Sequence, residues 1–99
     1  MSSENDVAVV LSGCGVFDGS EVHEASAVCV ALTRCGKTPV FFAPDKTLYH
    51  EVNHVSGESA DTTRNALIEA GRISRGKVRP LKVNKKILSL QHTFIADNF

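Results

Sequence analysis

The run Val7-Ala8-Val9-Val10-Leu11-Ser12-Gly13-Cys14-Gly15 decides how the chain reads. Five apolar residues without a polar break suit a strand buried on both faces, as in a parallel sheet covered by helices. The glycines that follow allow a tight turn. Beyond them, Ser20 can cap a helix, and Glu21 and Glu24 load its first turn with acid. Val22, Ala25, Val28, Cys29 and Leu32 recur at helical spacing and form one apolar face. Gly36 marks the end, so a helix is expected from Ser20 to Cys35. Thr38 to Ala43 is a second strand, stopped by Pro44-Asp45. Strand, glycine turn, helix and strand make a βαβ unit, the opening of an α/β fold. In open α/β sheets the functional crevice lies beyond the carboxyl ends of the strands, which puts Ser12–Gly15 and Ala43–Asp45 on one edge.

Downstream the pattern weakens. Residues 46–60 read as a loop with short strand-like pieces. Ser59 to Thr63 offers helix-start chemistry, and Ala66, Leu67, Ala70 and Ile73 continue at helical spacing to Gly76. Pro80 breaks the pattern. In Lys82–Phe99, Ile87, Leu90, Phe94 and Ile95 fit a helical face, while Leu88, Leu90 and Phe94 fit a strand face equally well.

Composition narrows the function classes. The 99 residues allow one domain at most, and 42% hydrophobic residues suit a folded chain. Eleven basic and eleven acidic side chains balance to zero, so there is no cationic surplus for a nucleic-acid backbone. No apolar run approaches a membrane span, and the polar start Met1–Asp6 has neither a secretory nor a transit-peptide character. Cys14, Cys29 and Cys35 are an odd number without CxxC spacing, which fits a reducing compartment.

Four constellations carry possible chemistry. Gly13-Cys14-Gly15 could aim backbone N–H groups at an anion or nucleotide, with Asp45 as a ribose-binding acid. However, the third glycine, Gly19, falls one residue too late for G-x-G-x-x-G, and a turn needing glycine for geometry alone explains the loop as well. Cys14 reads better as a small turn residue than as a nucleophile, because no histidine base is assigned to it. His50-Glu51-Val52-Asn53-His54 matches H-E-x-x-H, but it sits between Pro44 and Gly57 without a helix or a third ligand, so no metal is expected. Glu24 stands beside Ala25 and one turn before Val28. It is either a proton-transfer carboxylate or, as spacing alone favours, a solvated first-turn glutamate.

Several stretches together resemble a known family. Val10 to Glu24, Phe42-Ala43-Pro44-Asp45, Asn53-His54, Gly57-Glu58, Thr63 to Ala70 and Arg72 to Lys77 are similar to the enhancing-lycopene-biosynthesis (ElbB-type) proteins. Their animal members are called mitochondrial glutamine amidotransferase-like class 1 domain proteins, and the wider group is the PfpI-like superfamily. The resemblance spans Val7 to Leu81. It implies the N-terminal βαβ portion of a flavodoxin-like three-layer α/β sandwich, incomplete here, in residues 1–81, followed by a divergent tail in 82–99. It also implies glyoxalase-type activity on small reactive aldehydes such as methylglyoxal, without a cofactor, with Glu24 handling the proton. The attacking cysteine of that chemistry belongs to a later strand–helix elbow that this sequence does not match, and Cys14 corresponds to a different, loop cysteine. The chain is therefore expected to be inactive alone, with a bare edge on its first strand. That edge would invite a second copy or a full-length relative. The location implied is mitochondrial, as in animal relatives, or cytoplasmic.

Overall fold

The computed structural model describes residues 5–48, 51–81 and, as backbone, 92–96. In chain order the elements are β1 (Asp6–Leu11), α1 (Val22–Arg34), β2 (Thr38–Ala43), α2 (Ala66–Ser74), β3 (Val78–Pro80) and β4 (His92–Ala96). The strands form one sheet in the order β3-β2-β1-β4, and every pairing is parallel.

Strand β1 is an inner strand of this sheet; Val7, Ala8, Val9 and Leu11 of its apolar run are buried and Val10 partly so. Val9 and Leu11 point to the face where Ala25 of α1 and Ala70 of α2 pack, with Leu32, Leu67 and Ile73 around them. Ala8 points the other way and shares that side with Phe42, Val40 and Leu81. Both helices thus lie on one face. The period-two alternation of a strand sorts the side chains between the two clusters.

The helix boundaries differ from the sequence expectation for local reasons. Glu21, not Ser20, caps α1, and its Oε2 accepts the Glu24 N–H at 2.7 Å. Ser20 turns inward instead; it is fully buried and its Oγ accepts the Ser12 N–H at 2.9 Å. The far end closes as expected, with Gly36 at φ +77° and the Lys37 N–H on the Leu32 carbonyl. Helix α2 starts at Ala66, later than Ser59–Thr63 suggests, with Asn65 as the cap. The preceding residues are drawn back across the loop after β2: the Leu48 N–H meets the Arg64 carbonyl and the Ala66 N–H meets the Lys46 carbonyl.

The expected bare edge of β1 is not observed. Strand β4 lies along it, pairing Val7 with His92 and Leu11 with Ala96. Unpaired backbone groups beside a fully buried strand are costly, and a segment with strand periodicity resolves that cost. Of the tail residues that fit a strand face, Phe94 is in β4, whereas Leu88 and Leu90 fall outside the described residues. Among the described residues the free edges are now the outer sides of β3 and β4. Strand β3 was not foreseen. It is a three-residue edge strand ending at Pro80, a position where proline is tolerated.

Candidate functional site

Strand order runs β1 to β2 to β3 in one direction, while β4 lies on the opposite side of β1. This reversal makes the carboxyl end of β1 a topological switch point, the usual place for a ligand crevice. The glycine loop leaves from there and is tied into a knot. The Ser20 N–H donates to the Ser12 carbonyl at 2.8 Å, and the Gly15 N–H donates to the Ser20 carbonyl at 2.9 Å. Gly13, at φ +71°, donates to the Ala66 carbonyl at the start of α2.

A hairpin from residues 51–60 folds over this knot. Its arms meet at the Val52–Ser59 bridge, and its turn is held by Asn53 Oδ1, which accepts the Val55 and Ser56 N–H groups. Two side chains fasten it to the loop. Asp18, whose side chain is almost wholly buried, accepts the Val52 N–H at 2.7 Å. His54 reaches back so that its Nε2 accepts the N–H groups of Val16 and Phe17, both at 3.2 Å, and its ring stacks on Phe17 with centroids 4.9 Å apart.

Behind the hairpin runs a charge relay. Glu51 is buried; it accepts a hydrogen bond from the Thr62 hydroxyl and pairs with Arg64 Nε at 2.5 Å. Arg64 also reaches Glu69 Oε1 at 3.1 Å, and Arg72 Nε meets the same oxygen at 2.8 Å. Burial alone would raise the Glu69 carboxyl, but hydrogen bonds and charge from Arg72 and Arg64 outweigh it and hold it below the usual range. Cys14, Gly15, Asp18, Glu51, Val52, His54 and Arg64 enclose a pocket of about 210 Å³.

The predicted site residues fare differently. Gly13, Cys14 and Gly15 lie at the switch point. The amides of Ser12, Gly13, Gly15, Val16, Phe17 and Ser20 all have acceptors within the protein. Glu21 also places its own carboxylate on the α1 N-terminus, held low by hydrogen bonds from His23 and the Glu24 amide. Asp45 accepts a hydrogen bond from Asn65 Nδ2 at 2.9 Å and so supports the residue that caps α2. Glu24 is exposed in the first turn of α1 and not desolvated. The H-E-x-x-H stretch is not helical where it is described; Glu51 faces Arg64 and His54 faces the loop, and His50 lies outside the described residues. Among the described residues no cluster suits a metal. Asp18, Arg64 and the latching His54 were not assigned roles from sequence, because their partners are distant in the chain.

Burial pushes the Cys14 thiol up; Arg72 pulls the other way, Glu69 and Asp18 add to the rise, and the net effect is upward. Burial also raises Cys29, while Cys35 is exposed at the α1 terminus. Alkylation by iodoacetamide should therefore label Cys35 first. Cys14 and Cys29 should lag by about tenfold or more, because the thiolate is the attacking form. Peptide mass spectrometry over a time course reads the order, and early labelling of Cys14 would show an activated thiol.

A parallel sheet with its switch point at β1 and a knotted glycine loop beyond it defines an α/β protein of flavodoxin-like type. The chain superposes on the crystal structure of an isoprenoid biosynthesis protein with an amidotransferase-like domain from Ehrlichia chaffeensis with a TM-score of 0.84 and 36% identity, over 92% of this chain and 43% of that one. It is 51% identical over 76 residues to the rat ES1 protein homolog, mitochondrial, covering 76% of this chain and 29% of the rat protein. It is 50% identical over 76 residues to the human glutamine amidotransferase-like class 1 domain-containing protein 3, mitochondrial, covering 28% of that protein. The zebrafish ES1 protein, mitochondrial, is 37% identical over 73 residues. No family model matches. The chain belongs to the ElbB-type family of amidotransferase-like proteins. It spans less than a third of the length of the curated relatives it matches.

Proposed function

We propose that this chain carries the carboxylate side of a glyoxalase-like site for small reactive aldehydes and does not turn them over alone. The observation that supports this reading is the state of Cys14. Burial pushes its thiol up, away from the thiolate form that attacks. Covalent aldehyde chemistry needs a thiolate to attack the carbonyl carbon and a neighbouring group to move the proton. Glu24, exposed on the first turn of α1, is our candidate for the second role, by family likeness. Three of the relatives bear mitochondrial names, and we place this chain there too.

The test is methylglyoxal consumption by the purified 99-residue protein beside its Glu24→Gln variant. Both should match buffer. Turnover in the parent that disappears in Glu24→Gln would mean the chain is a complete catalyst.

A second reading has one observation behind it. Among the described residues, nothing pairs with the outer edge of β4. An unpaired edge can accept a further strand. We infer that a second copy or a longer family member docks there. Sedimentation analysis showing only monomer at high concentration, together with no co-purification of a longer relative, would remove this reading.

A further inference from the structure

The hairpin of residues 51–60 is fastened to the glycine loop at a nitrogen that has two incompatible sets of partners in reach. His54 Nδ1 lies 3.0 Å from the Val52 carbonyl oxygen, which can only accept, so Nδ1 carries the proton. Nε2 must then be the lone-pair nitrogen, and it accepts from both Val16 and Phe17 at 3.2 Å. On the same nitrogen, Asp18 Oδ1 stands 3.7 Å away. The imidazole is thus neutral in this arrangement, with a carboxylate waiting just beyond hydrogen-bond distance.

We propose that His54 is a pH-operated latch over the pocket: neutral, its Nε2 binds the Val16 and Phe17 amides and pins the hairpin down, and protonated, it must release both amides and turn to Asp18. A protonated Nε2 is a donor facing two donors, so the first arrangement cannot persist. The second needs only a small ring displacement. It would pull the ring out of its stack on Phe17 and unseal the wall that His54 and Val52 build. Histidine is the side chain whose ordinary titration falls within the physiological range, which makes such a change accessible to a cell.

The groups around the ring are few. Asp18 faces it directly from the loop. Glu51, Arg64 and Cys14 share the pocket, with Glu51 and Arg64 paired to each other. Asp18 already holds the Val52 N–H through Oδ2, so Oδ1 is the oxygen that would receive the new bond, and the hairpin stays tethered at one point while it opens.

Nitrogen-detected NMR of the full chain, titrated from about pH 8 to about pH 5, tests this. The alkaline form should show the proton on Nδ1. As His54 titrates, the Val16 and Phe17 amide shifts should move with it, and their protection from exchange should fall about tenfold relative to the Gly13 and Gly15 amides. In His54→Gln, whose side chain does not titrate, both amides should be flat over the same range. A proton on Nε2 in the alkaline form, no protonation by about pH 5, or the same amide changes in His54→Gln would each overturn the latch.

Discussion

Gly19→Ala is expected to destabilise the protein by about 3 kcal/mol and to dismantle the loop at the end of β1. A Cβ at this position would lie 2.7 Å from the Cys14 nitrogen, 2.9 Å from the Ser12 oxygen and 3.1 Å from the Gly13 carbonyl carbon. All three are backbone atoms of the knot, so none can rotate aside as a side-chain tip would. Relief requires the Ser12–Ser20 pair of bonds to open, and with them the placement of Asp18, which holds the hairpin. Urea denaturation followed by circular dichroism reads the loss as a lower midpoint. Gly36→Ala makes the comparison informative: its Cβ meets nothing within 4 Å, although its φ of +77° still strains the backbone. That variant should lose only about 1 kcal/mol. Equal losses at the two positions would show that the close packing around Gly19 carries no weight.

Phe42→Ala should be more damaging, at about 4 kcal/mol. Phe42 is 1% exposed and is the largest fully buried side chain among the described residues. It fills the face of the sheet opposite the helices, with Ala8, Val40 and Leu81 around it. Small neighbours such as Ala8 cannot expand into the void, so the cavity persists and adds to the lost transfer energy. A domain of this size has little stability in reserve. The expected outcome is partial loss of far-UV signal at 25 °C and a shallow thermal transition. Phe42→Leu, which keeps most of the volume, should restore a cooperative transition. A cooperative transition in Phe42→Ala, with a midpoint like the parent's, would contradict the role given to this side.

The β1–α1–β2 unit was legible because three signals agree there. A continuous apolar run, an apolar helical face and a glycine stop all point the same way, and Ala25 and Leu32 do pack against the sheet, although Val22 of the same predicted face is exposed. Agreement ended where tertiary contacts decide. Ser20 has the chemistry of a cap, but a buried Ser12 amide claims its hydroxyl. Ser59 to Thr63 look like a helix start, but Arg64 and Asn65 just beyond them are drawn back toward Leu48 and Thr47. Strand β3 is short and half-exposed, so its sequence carries almost no period to detect. The tail left helix and strand open because Leu90 and Phe94 belong to both faces. The structure chose a strand because the edge of β1 required a partner.

The site shows the same division. Glycines announce the loop, since only they fit its geometry. Asp18 and His54 gave no local signal, because their partners lie 34 to 38 residues away and become visible only once the hairpin is folded over. The literal H-E-x-x-H match, set aside on its context, has other duties: its glutamate serves an arginine and its second histidine serves backbone amides.

The pairing of β4 with β1 also has a temporal consequence. The most deeply buried strand takes one neighbour, β2, from the segment that follows it and the other from the far reach of the described chain. Closing that second ladder means closing a very long loop, the slowest kind of contact a small domain makes. On this account β1, α1 and β2 condense early. The last step of maturation is the arrival of His92–Ala96, and until then the nascent chain exposes the flank that chaperones and sticky neighbours recognise.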